Sequence, residues 1–144
     1  MKTFLLIMTI LLLINRISST PRNFSKKLHE KYIKNEIKSM TDIFSKKNET
    51  EMESLKFITQ IFCIIAYTFF GLYYLHIGNS FSNKTLYFMS VLQVVTVLLN
   101  FRKEFIYELF STDPEDYKFN RFYKLFNVIL DYIYYPMVIY MLLQ

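Results

Sequence analysis

Four apolar segments, at about 3–19, 57–77, 85–101 and 122–143, alternate with polar stretches that share their cations very unevenly. Of the 17 Lys and Arg residues, ten fall between Arg16 and Lys56: Arg16, Arg22, Lys26, Lys27, Lys31, Lys34, Lys38, Lys46, Lys47 and Lys56. Five more (Arg102, Lys103, Lys118, Arg121 and Lys124) accompany the passage from the third segment to the fourth. Only Lys2 and Lys84 lie elsewhere. If every apolar segment crosses a bilayer, the two basic stretches share one side, 15 cations against 2. An excess of Lys and Arg marks the cytoplasmic face. The pattern predicts an all-α integral membrane protein: four transmembrane helices in one membrane domain over 1–144, with both termini in the lumen.

Composition narrows the function. The net charge of +5 invites a nucleic-acid reading, but the cations flank apolar runs instead of covering a polar domain. Anionic headgroups explain them more simply, and no groove-reading or base-stacking motif accompanies them. Cys63 is the single cysteine, so an intrachain disulfide is impossible. Two glycines cannot build a Gly-rich phosphate loop of the usual kind, and no Ser–His–acid or Cys–His set stands at motif spacing. Neither His29 nor His76 has a second ligand at useful spacing, so no metal site is predicted. Met137 and Met141 share a helix face, which reads as packing in the absence of a further soft ligand. The expectation is a protein without catalysis, cofactor or metal, whose partners are membrane lipids and other membrane proteins.

The first segment admits two readings. Lys2, the apolar run Phe4–Ile14 and the small residues Ser18, Ser19 and Thr20 resemble a secretory signal peptide, and the run is shorter than the ~20 residues of a usual span. Cleavage, however, would leave three spans and put both basic stretches in the lumen, against the charge rule. An uncleaved signal-anchor agrees with it. The sequons at Asn23, Asn48 and Asn83 bear on the same question, since an acceptor matters only where it reaches the lumen.

Along the chain, 25–44 carries Leu28, Tyr32, Ile33, Ile37, Met40, Ile43 and Phe44 as one helical stripe, with Lys and Glu opposite and Glu30–Lys34 as an i,i+4 pair. A basic amphipathic helix of this kind lies in the headgroup region or against a partner protein. A flexible joint is expected at 45–53 and a tight turn at 78–82, making a hairpin of the second and third spans. Gly71 and Gly78 are seven apart, so no Gly-xxx-Gly motif is present. The run 111–116 reads as a loop, and Pro136 as a kink in the last span. Asp131 is the sharpest candidate for function, because an acid inside a membrane helix is costly. Its bland reading is hydrogen bonding to a tyrosine or glutamine of another helix; its functional one is a polar path shared with Gln93 or Gln60.

One local resemblance remains. Asn83-Lys84-Thr85-Leu86-Tyr87, followed by Asn100-Phe101 and Glu104, resembles the ergosterol-biosynthesis scaffold family: small endoplasmic-reticulum proteins that tether the sterol C-4 demethylation enzymes. Asn83, Leu86, Tyr87, Phe101 and Glu104 match that pattern in spacing; Asn100 replaces its His. The family's Trp-containing entry to the second helix has no counterpart in Leu55-Lys56-Phe57-Ile58. The resemblance implies a multi-pass scaffold of the endoplasmic-reticulum membrane. The amphipathic helix and the 102–124 stretch would be its docking surfaces for the sterol C-4 oxidase, decarboxylating dehydrogenase and ketoreductase. The alternatives are a small transporter or channel subunit using Asp131, or a secretory-pathway membrane protein with a cleaved signal peptide.

Overall fold

Each polar stretch that enters an apolar run supplies a residue able to cap a helix, and those caps set where the helices begin. The computed structural model describes residues 2–103 and 120–144, which form five helices and no strand. They are α1 (Lys2–Phe24), α2 (Lys26–Phe44), α3 (Glu49–Ser80), α4 (Lys84–Lys103) and α5 (Arg121–Leu143). Ser25 caps α2, accepting from the Leu28 amide at 3.4 Å. Asn48 and Glu51 form a reciprocal capping box at the start of α3, at 2.9 and 3.2 Å. Asn83 Oδ1 accepts from the Thr85 and Leu86 amides at 3.0 and 3.1 Å, and Asn120 Oδ1 from the Tyr123 amide at 3.0 Å. A short polar side chain in these places satisfies amides that the first helical turn leaves orphaned.

The caps move two expected boundaries. The joint expected at 45–53 shrinks to 45–48, because the capping box starts α3 directly after Asn48. The turn expected at 78–82 shifts to 81–83, where α3 runs on through Ser80 and Asn83 starts the next helix. Pro136 lies inside α5, which continues through it to Leu143. The 111–116 loop, Glu104 and Lys118 lie outside the described residues.

Four helices, α1, α3, α4 and α5, are long and apolar enough to cross a membrane. At 1.5 Å per residue each is at least about 30 Å long, the thickness of a hydrocarbon core. They alternate in direction. Tyr67 of α3 packs edge-on against Phe101 of α4 at 5.3 Å. Asn100 of α4 meets Tyr123 of α5 at 2.8 Å, and Lys124 of α5 meets His29 of α2 at 2.9 Å. One end of the bundle therefore gathers the C-termini of α1 and α4 with the N-terminus of α5. The core lies toward the opposite end, built from Tyr73, Tyr74 and Ile77 of α3, Leu86 and Met89 of α4, Tyr134, Tyr135 and Val138 of α5, and Leu5 of α1. There Gly78 brings α3 against α4: a Cβ on it would stand 2.9 Å from the Ser90 Cβ. No Gly-xxx-Gly spacing is needed, because a single glycine meets a serine across the hairpin.

Candidate functional site

The buried positions of α5 are Asn127, Val128, Leu130, Asp131, Tyr134, Tyr135, Val138 and Leu142, a stripe at helical spacing that carries four polar side chains inward. On α4 the matching stripe is Leu86, Met89, Ser90, Gln93 and Thr96. Because the two helices run antiparallel, their polar residues meet in register. Ser90 and Tyr134 hydroxyls are 3.0 Å apart, Gln93 Nε2 donates to Asp131 Oδ1, and Tyr123 donates to Asn100 Oδ1 at 2.8 Å.

Asp131 is 2% exposed and ten residues into α5, about 15 Å from the start of that helix. Its second oxygen, Oδ2, is paired with the Arg16 guanidinium of α1. Sequence reasoning anticipated Gln93 as a partner type but treated Arg16 as the first cation of a basic flank. The correction has a physical reason. A carboxyl group this buried is cut off from water, and α1 approaches α5 closely enough to bring a guanidinium to it. Arg16 retains 25% side-chain exposure while its guanidinium reaches the buried Asp131.

Further contacts hold α1. Thr9, fully buried, is 2.6 Å from the Tyr73 hydroxyl and donates to its own Leu5 carbonyl at 2.6 Å when Tyr73 donates to it. Thr20 is 3.1 Å from the Tyr132 hydroxyl. Ser18, Ser19 and Thr20 are helical, and their hydroxyls donate back to the carbonyls of Ile14 and Arg16 at 2.8–3.0 Å. A neighbouring pair, the Tyr74 and Tyr135 hydroxyls at 2.7 Å, completes a seam of hydrogen bonds through the bundle. Asn127 Oδ1, one turn before Asp131, is buried without a hydrogen-bond partner among the described residues.

Other expected site residues separate from this cluster. Gln60 is half-buried about two turns before Tyr67 on α3, beyond the end at which Tyr67 meets Phe101. Among the described residues no hydrogen bond joins it to Asp131 or Gln93. Of the residues that carry the family resemblance, Asn83 is a helix cap, Leu86 is fully buried, Tyr87 faces outward and Phe101 packs on Tyr67. Met137 and Met141 pack partly buried against the core. Glu30 pairs with Lys26 at 3.7 Å, not with Lys34. Among the described residues no group of three or more His, Cys, Asp or Glu side chains is placed to hold a metal ion.

Comparisons with protein-family models, with curated proteins and with solved structures find no match.

Proposed function

We propose that this chain is a four-pass integral membrane protein that keeps its first helix and acts as a non-catalytic scaffold. The observation that carries the proposal is the tie between Arg16 of α1 and Asp131 of α5, backed by the Thr9–Tyr73 bond. A signal peptide destined for removal has no need of a guanidinium matched to an acid more than a hundred residues away. Cleavage after Ser19 would also leave Asp131 without its counter-ion, a severe cost for a carboxylate in a bilayer. The cation asymmetry agrees: setting Arg16 aside as interior, the remaining basic residues of the two stretches still outnumber Lys2 and Lys84 sevenfold. Both termini then lie in the lumen and the basic stretches in the cytosol.

Scaffolding is supported by the character of the interior. Its polar side chains are spent largely on one another across helices, which makes a bundle that holds shape and offers its outer faces to other proteins. The resemblance around Asn83–Phe101 supplies the client class, the sterol C-4 demethylation enzymes, and the endoplasmic reticulum as location. The test has two arms. N-terminal sequencing of the membrane-extracted protein should return Met1, and a glycosylation acceptor appended after Gln144 should be used while Asn23 and Asn48 are not. A mature chain beginning near Thr20 overturns the four-pass assignment. Affinity purification in mild detergent should recover sterol C-4 enzymes; their absence removes the client assignment.

A second reading, a transporter or channel subunit, draws on Asn127, whose buried Oδ1 lacks a donor one turn from Asp131. It requires that Asp131→Asn abolish flux in reconstituted vesicles. Unchanged flux removes it.

A further inference from the structure

The apolar stripe expected along α2 is divided in two by the fold. His29, Ile33, Glu36, Ile37 and Met40, spaced four, three, one and three, form its covered side, with Ile33 buried. Leu28, Tyr32 and Ile43, spaced by whole turns, stay exposed at 46%, 43% and 48%, with the Arg22 guanidinium of α1 over one face of the Tyr32 ring at 4.3 Å. Directly beside that uncovered edge runs a row of exposed lysines, Lys27, Lys31, Lys34 and Lys38, spaced four, three and four. The acids of α2 do not cancel the row. Glu30 faces Lys26, Glu36 lies on the covered side, and Asp42 sits past the row's far end.

We propose that this edge of α2 lies on the anionic headgroups of the membrane that α1 crosses, with Leu28, Tyr32 and Ile43 dipping below the phosphates and the four lysines reaching up to them. The proposal rests on the four-pass assignment. Two features favour a bilayer over an acidic protein. Only Ser25 separates the end of α1 from the start of α2, so the first turn of α2 is delivered to the interface by the span itself. Phe24, the last residue of α1, is 50% exposed next to that start and adds an exposed apolar side chain at the junction. An apolar edge with long cationic side chains along one border is the arrangement that lets stems lie in the acyl boundary while the charges stay at headgroup level. The lysines then act together through the surface potential of anionic lipid, each contributing about a five-fold preference at moderate salt.

The experiment places a spin label at one position at a time in the full-length chain carrying Cys63→Ser, reconstituted in neutral vesicles or in vesicles with a third anionic lipid. Leu28→Cys, Tyr32→Cys and Ile43→Cys report the edge, and Leu98→Cys on the outer face of α4 reports insertion of the spans. In anionic vesicles the three edge labels should gain accessibility to oxygen and lose it to a polar nickel reagent. That shift should vanish when Lys27, Lys31, Lys34 and Lys38 are all changed to Gln, and at about 1 M salt, where the screening length falls to about 3 Å. Edge labels that remain in water whatever the lipid, with Leu98→Cys in the bilayer, overturn the proposal, leave the four-pass assignment standing and give α2 to a protein partner. A label at Leu98 that reads as aqueous overturns both.

Discussion

The pair Arg16–Asp131 sets the largest single-residue sensitivity of the molecule. A buried ion pair is a poor source of net stability, because desolvating both charges offsets most of their attraction. Removing one partner is different, since it strands the other. Asp131→Ala or Arg16→Ala is expected to destabilise the bundle by about 3–5 kcal/mol, with Asp131→Ala at the lower end because the Arg16 it strands keeps some access to the surroundings, whereas Arg16→Ala strands a fully buried acid. The double variant Arg16→Met/Asp131→Leu should recover most of that loss, read as resistance to denaturation in detergent. If the double variant is as unstable as the sum of the singles, the two residues do not act as a pair. By contrast, Tyr73→Phe deletes one hydrogen bond to Thr9 and should cost only about 0.5–1.5 kcal/mol. Asp131 was legible in the sequence as an anomaly. Arg16 was not, because a cation that ends an apolar run looks the same whether it faces headgroups or an acid on a distant helix.

At the scale of elements, the caps and the hairpin contact decide geometry. Asn48→Ala deletes the side-chain half of the capping box, the Oδ1 that accepts from the Glu51 amide, while the backbone amide of residue 48 can still donate to Glu51; it should cost about 1 kcal/mol and fray 49–53, which hydrogen exchange of those amides would report. Gly78→Ala forces a methyl against Ser90. An overpacked site of this kind costs about 1–3 kcal/mol, and Ser90→Gly in the same chain should relieve it. No relief would mean that the glycine serves something other than close approach. Gly78 has a negative φ, so conformational freedom is not its purpose. Hydrophobic periodicity outlined all five helices to within a turn at most ends. The exceptions were the end of α1, which runs on to Phe24 past the expected 19, and the start of α3, whose first two turns are polar; for α3 the capping box of Asn48 and Glu51 was the signal available in the sequence. The division of the α2 stripe left no such trace, since Ile33 and Tyr32 are equally apolar letters and only their neighbours in space differ.

For the whole molecule, the proposed retention of α1 predicts a dependence between the first and last helices. Deleting residues 1–24 should lower the steady-state level of the remaining chain severely in a pulse-chase measurement, and Asp131→Leu in that deletion should restore part of it by removing the stranded acid. A deletion with no effect on lifetime would show that α1 is dispensable to the bundle. The five helices of the described residues, their approximate bounds, the gathering of cations in two stretches and the oddity of an acid in an apolar run all follow from the chain itself. They depend on side-chain chemistry summed over short stretches, where neighbours in sequence are neighbours in space. Which polar groups meet is another matter. Arg16 with Asp131, Thr9 with Tyr73, and Gly78 with Ser90 join helices whose relative rotation and depth no local pattern encodes. Tertiary packing alone decided those pairings, because an unmet charge or hydroxyl away from water is costly enough to select one docking of the helices over its rivals.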